Sequence, residues 1–460
     1  MHSRQSVHWR RHRTLKRALA FAGVLTASAF SPGAFAGLEK CTAPKEWFPH
    51  SQTPRPDDAA FESTSNCVFH QWSWQMFLWL TQDVDGKPRF LDFQSPQSLL
   101  GLKQRQFLPR MTKSPLPEAL DEYLQAGTDG IMVDLQGKAV YYSQYINDTF
   151  ADFMTSHDLT DPAKVQALDP NTTFPISGTR GAMELKASWK IVSEGEDISD
   201  MFTMRTEVAG LVNQGGKIVI DVTRREKVEV ALVGLHIAGI VNGHPEMIWA
   251  TFEHKRNAPN VIEATCTAEN CASVPPDRVI SDKDFTFYKA GTTYANCNQN
   301  PASTNQLKLD EATQTLTPST QACRQFEFGN DPSDASTAGN DKNIADLNSS
   351  VDAQLDPKDV FWNYSEVGAI WFLDGGKLRP GMTLATDDNL TGSLKLSNTT
   401  IETFTQTQSV MNNCFRCHNT EQTFPPRMDL DPLKATNLNI SHAFQNIYFW
   451  SQELSQGESK

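Results

Sequence analysis

Val228-Glu229-Val230-Ala231-Leu232-Val233-Gly234-Leu235-His236-Ile237-Ala238-Gly239-Ile240-Val241 is a nearly continuous apolar run. Asn242-Gly243-His244-Pro245 interrupts it, and Met247-Ile248-Trp249-Ala250-Thr251-Phe252 returns. Two apolar runs rich in β-branched and aromatic residues, separated by a short turn cluster, predict a pair of antiparallel strands. A turn centred near Pro245 sets His236 directly opposite His254, which makes the two imidazoles candidate metal ligands. Glu253 then faces away from His254, because side chains alternate along a strand. The plainer alternative is that each histidine is simply hydrogen-bonded within the sheet.

Outward from this hairpin the strand signals continue. Met183 to Val192 alternates as a half-buried strand does, and Ile131–Asp134 with Ala139–Tyr142 flank a Leu135-Gln136-Gly137-Lys138 turn. Phe69 to Leu80 departs from the pattern: Trp72, Met76, Trp79 and Leu80 fall at helical spacing and predict a core helix. No repeat of 20 to 50 residues recurs. Residues 37–345 therefore read as a β-rich unit of antiparallel sheets, its end marked by a polar stretch, Asn298 to Ser350, that predicts loops and a linker.

Residues 346–460 read differently. Asn413-Cys414-Phe415-Arg416-Cys417-His418-Asn419 contains a single C-x-x-C-H, the attachment signature of covalently bound haem c. Two thiols must reach one edge of a porphyrin while the next histidine turns under the iron, and on a helical turn Cys414, Cys417 and His418 share one face. Chance would produce the motif in a chain of this composition only roughly 0.003 times. Ser397-Asn398-Thr399-Thr400 offers N-caps for a helix carrying Ile401, Phe404, Val410 and Met411 into the motif. Ser441 to Ser451 predicts a second helix. The fold class expected is α+β, with the β-rich unit followed by a small α-helical cytochrome c-like haem domain.

Residues 1–36 carry Arg4, Arg10, Arg11, Arg13, Lys16 and Arg17 with no acid, then an apolar stretch to about Phe30, then Ala34-Phe35-Ala36. This pattern predicts a signal peptide and an exported, periplasmic or otherwise extracytoplasmic protein. The apolar core is too short for a membrane span, and no later segment approaches that length. The whole chain has 41 Lys+Arg against 54 Asp+Glu; without the leader's six basic residues the net charge is −19. Such a balance disfavours nucleic acid and suits a redox partner protein with basic patches. Six cysteines lie outside the haem motif, an even number suited to disulfides in an oxidising compartment. Neighbour pairing, Cys41 with Cys67, Cys266 with Cys271 and Cys297 with Cys323, is the economical arrangement of the fifteen possible.

Trp72-Ser73-Trp74-Gln75-Met76-Phe77, Gly234-Leu235-His236-Ile237, Trp249 to His254, and Asn398-Thr399-Thr400-Ile401-Glu402-Thr403 before the haem motif together resemble large, exported, single-haem bacterial proteins of the cytochrome c family. The resemblance spans most of the chain beyond the leader. It implies one haem c held by Cys414, Cys417 and His418, and brings no substrate with it.

The sixth iron ligand decides between classes of function. Met428, behind Pro425-Pro426-Arg427, is the first choice, with Met382, His442, His236 and His254 as further candidates. A filled position predicts an electron carrier; an open one predicts a haem enzyme, peroxidase- or oxygenase-like, with the β-rich unit forming its distal pocket. A third reading makes the chain an interaction module acting as electron port for a dehydrogenase. No Gly-rich nucleotide loop or H-E-x-x-H zinc motif is present.

Overall fold

The computed structural model describes residues 40–457 apart from 51–60, 62–65, 103–107, 110–129, 178–179, 262–273, 302–305, 384–388, 407–412 and 426–428. Its centre is an antiparallel sheet of eight strands. In chain order these are β1 (Leu108–Pro109), β2 (Val140–Ile146), β3 (Met183–Ile191), β4 (Thr203–Gln214), β5 (Lys217–Val241), β6 (His244–His254), β7 (Tyr364–Phe372) and β8 (Leu390–Gly392). They lie side by side as β8-β7-β6-β5-β3-β2-β1, and β4 pairs with the first half of β5. The helices that matter for the site are α1 (Asn66–Thr81), α2 (Asp148–Ser156), α3 (Pro162–Ala167), α4 (Ala338–Asp352), α5 (Cys414–Cys417) and α6 (His442–Gly457).

Each strand gives alternate residues to two different faces. Leu185, Ala187, Leu235, Ile237, Ala250 and Phe252 face α1 and form its core with Trp74 and Phe77. Phe77 stacks on Phe252 with ring centroids 4.3 Å apart, and Trp74 meets the same ring edge-on at 5.0 Å. Helix α1 is apolar nearly all round because it is buried nearly all round. Its inward hydroxyls are returned to its own backbone, Ser73 Oγ to the Phe69 carbonyl and Thr81 Oγ1 to the Phe77 carbonyl. Helix α4 covers it, with Trp74 Nε1 donating to Asn348 Oδ1 at 2.8 Å. The other face carries Ala238, Trp249 and Ile370, which pack with Phe150 of α2, Phe415 of α5 and Phe444, Ile447 and Tyr448 of α6.

The expected α+β class holds: the strand patterns at 183–191, 228–241 and 247–252 fall within β3, β5 and β6 and the helical patterns within α1 and α6, although β5 starts at Lys217, ahead of its apolar run. Several expectations are corrected. Residues 346–460, expected to form a separate helical unit, supply β7 and β8 to the same sheet, and Lys40–Lys460 is one compact unit. The polar stretch near 345 is not only linker, since α4 occupies Ala338–Asp352 and buries Ile344, Leu347 and Val351. Residues 401–406 form turns rather than the start of a helix, and Val410 and Met411 lie outside the described residues.

The hairpin register also differs. Val241 pairs with His244 across the two-residue turn Asn242-Gly243, and an irregularity before Ile248 then shifts the pairing so that His236 faces Thr251. Met247, at φ 69°, lies in that irregular segment. His254 therefore shares the α1 face with Phe252, whereas His236, Thr251 and Glu253 share the other. The imidazole pair expected from symmetry about Pro245 does not exist. His254 is fully buried, its Nε2 3.0 Å from the Asp200 carbonyl, and burial pushes its pKa down to about 4.

Disulfides join Cys41 to Cys67 and Cys297 to Cys323, as neighbour pairing expects. Cys266 and Cys271 lie outside the described residues. Among the described residues no helix is long and apolar enough to cross a membrane.

Candidate functional site

The site grows from a glycine. On the face away from α1, Ser188, Gly234 and Glu253 stand in register across β3, β5 and β6. A Cβ on Gly234 would lie 2.6 Å from Thr400 Oγ1 and 2.9 Å from Asn398 Oδ1, so only glycine admits the turn that crosses here. That turn is pinned from both sides: Thr400 Oγ1 and Ser188 Oγ are 2.6 Å apart, Asn398 Nδ2 donates to Thr251 Oγ1 at 2.8 Å, and the Thr399 amide donates to Glu253 Oε1 at 2.7 Å. Buried Glu253 is balanced by Arg324 at 2.8 Å. Asn398 Oδ1 caps the Thr400 amide while Glu402 Oε2 accepts from the Asn398 amide, which closes the turn on itself. The stretches Gly234–Ile237, Trp249–His254 and Asn398–Thr403, quoted separately above, are thus one packed unit.

Beyond this turn the same face opens into a cleft of about 990 Å³, counted to its solvent mouth. Its sheet side carries Gln144, Glu184, Lys186, His236 and Trp249; its other walls include Glu402, Cys414, Cys417, His418 and His442. Gln144, Lys186 and His236 form one cross-strand row, and Glu184, Ala238 and Trp249 the next.

The C-x-x-C-H segment is anchored by Phe415, one of the two residues between its cysteines. Phe415 is fully buried against Phe372 at 4.9 Å and Trp249 at 6.4 Å, which fixes the short helix α5 on the sheet. Cys414 and Cys417 are not joined in a disulfide, and both line the cleft with His418. The His418 imidazole is held between two rings, Trp249 at 3.9 Å and His442 at 3.7 Å between centroids. Its Nδ1 lies 2.8 Å from the Ile440 carbonyl. A carbonyl only accepts, so Nδ1 carries the proton and Nε2 keeps its lone pair. Burial, with His442 adding to it, holds His418 well below the usual histidine range, so the ring is neutral at pH 7, the state a metal ligand needs. Burial likewise brings His442 down to about 4.

Glu184 stands at the start of α6. Its Oε2 accepts from Ser441 Oγ at 2.5 Å and from the Ala443 amide at 3.3 Å, yet burial pushes its pKa up to about 7. His236 Nε2 lies 3.3 Å from Glu402 Oε2, but the atom is buried and makes no hydrogen bond.

Of the residues singled out in the sequence, Cys414, Cys417, His418, His236 and His442 meet in this cleft. His254 does not. Met382 is buried beside the Arg379 amide and Thr420 and is not among the cleft walls. Met428 lies outside the described residues. Glu184, Lys186 and Gln144 were missed, although the alternation of Met183 to Val192 already places Glu184 and Lys186 on the face opposite Leu185. Among the described residues no group of three or more His, Cys, Asp or Glu side chains is arranged for a bare metal ion. A porphyrin iron needs no such group, since it takes at most two protein side chains. No family model, curated protein or solved structure matches the chain.

Proposed function

We propose that this chain is an exported c-type cytochrome with one haem, attached through Cys414 and Cys417, bound by His418 and serving electron transfer. The observation that carries the reading is the Nδ1–Ile440 contact, which leaves His418 neutral with its other nitrogen available, in the same cleft as both thiols. Axial histidines are commonly fixed by a hydrogen bond of this kind. The haem, once bound, supplies one-electron chemistry at its iron. The chain's own residues would orient and enclose it: Trp249 and His442 pack on the His418 ring, Phe415 locks α5 to the sheet, and Glu402 of the 398–402 turn lines the cleft. Two disulfides fit an oxidising compartment. The acidic balance of the chain suits a partner protein with basic patches.

A second reading, a haem enzyme, draws on the polar sheet wall, where Gln144, Glu184, Lys186 and His236 could serve small-molecule chemistry. Attachment is tested first. Denatured protein should retain a haem stain and the added mass of one haem, and Cys414→Ala with Cys417→Ala should lose both. Haem that extracts into acidified solvent would refute the proposal.

A further inference from the structure

The wall facing the haem motif suggests how the second axial position is filled. His254 is on the far side of the sheet, and Met382 lies outside the cleft wall. His442 is stacked on His418 with its Nε2 3.2 Å from the Cys417 carbonyl. Two rings stacked face to face lie on one side of a porphyrin, whereas two axial ligands stand on opposite sides. His236 differs from all three: it lines the cleft from the middle strand of the sheet, and its buried Nε2 is without a hydrogen bond.

Resting on the cytochrome reading, we infer that His236 is the second axial ligand of the haem iron, delivered from strand β5 rather than from a methionine loop. Glu402 Oε2 lies 3.3 Å from that same Nε2 and is the group the iron would displace from it. The consequence is an iron with two histidines, closed to small ligands and of lower potential than a histidine–methionine pair.

The test uses the full-length haem-loaded protein, with the haem stain of the denatured band read first. An unstained band ends the cytochrome reading itself. With haem present, the native protein should be low-spin in both oxidation states, lack the weak far-red band of methionine ligation, and fail to bind carbon monoxide rapidly. His236→Ala should turn high-spin and bind carbon monoxide, and added imidazole should restore the low-spin spectrum. Should that variant not accumulate, His236→Met replaces it and should gain the far-red band and a raised potential. A far-red band in the native protein, rapid carbon monoxide binding by it, or a His236 variant with the native spectrum overturns the assignment while leaving haem attachment intact.

Discussion

Leu235 and Ile237 point to one side of β5, Gly234 and His236 to the other, and the two sides obey different rules. The α1 side is filled with Trp74, Phe77, Leu185, Ile237 and Phe252, side chains whose only demand is to be out of water. The cleft side carries Gln144, Glu184, Lys186, Ser188, His236, Thr251 and Glu253, in register across four strands. Polar groups this deep are stabilising only when partnered, and most are tied to the 398–402 turn, to Arg324 or to the start of α6. His236 Nε2 makes no hydrogen bond, although Glu402 Oε2 of that turn lies 3.3 Å away. One face holds the sheet together; the other holds a geometry.

On the proposed cytochrome reading, substitutions on the two faces should therefore separate stability from spectrum. The largest effect is expected at Phe77, fully buried between Phe252 and Tyr364. Phe77→Ala leaves a cavity between α1 and the sheet and should lower unfolding free energy by about 3–5 kcal/mol. Denaturant titration measures the loss, and the haem spectrum of the folded fraction should be unchanged. A changed spectrum would mean that the two faces are mechanically coupled.

On the cleft face the next effect is one of pH. Burial raises the Glu184 carboxyl from 4.5 to about 7, against the opposing pull of Ser441, the α6 amides and Lys186. Below pH about 4.5 the group is protonated in both folded and unfolded chains and contributes nothing. Between about 4.5 and 7 the folded state holds the extra proton, so stability falls as pH rises, and above about 7 the full penalty is present. Its ceiling is roughly 3 kcal/mol. Glu184→Gln keeps an acceptor for Ser441 without the charge and should flatten this slope, raising the melting temperature at pH 8 relative to the native protein but not at pH 4. An unchanged slope would place the titration elsewhere.

The α1 face was legible because hydrophobic burial writes itself into apolar runs: Val228 to Val241 and Met247 to Phe252 are strands, and Phe69 to Leu80 is helical. Cys414, Cys417 and His418 stood out as a fixed-spacing motif, and the structure brings all three to one cleft. The partnership of the cleft was not legible. Symmetry about Pro245 ignored the irregular pairing before Ile248; His236 pairs with Thr251 rather than His254, and an odd-numbered shift in register moves a side chain to the other face, as happened with His254. β5 begins at Lys217, well before the apolar run, because its first half pairs with β4 where both strands are partly exposed. The docking of Asn398–Thr400 onto Gly234 spans more than 160 residues of sequence and leaves no periodic trace.

Two glycines of β5 give the finest test of the contrast. Gly239 faces α1, and a Cβ there would meet the Trp72 ring at 2.9 Å; Gly234 faces the cleft, and a Cβ there would meet Thr400, Ser188 and Asn398 within 2.9 Å. Each alanine substitution overpacks its site and should destabilise by about 1–3 kcal/mol. Their optical consequences should differ. Gly239→Ala pushes a rigid indole toward α1 and leaves the cleft alone, so the haem spectrum and potential should match the native protein. Gly234→Ala displaces the hydroxyls that bind Ser188 to Thr400 and lifts the turn that carries Glu402, the carboxylate beside His236. The potential should then shift from the native value, even though residue 234 touches neither the haem motif nor His236's ring. Equal potentials in the two variants would show that the turn only packs the sheet and does not position the cleft.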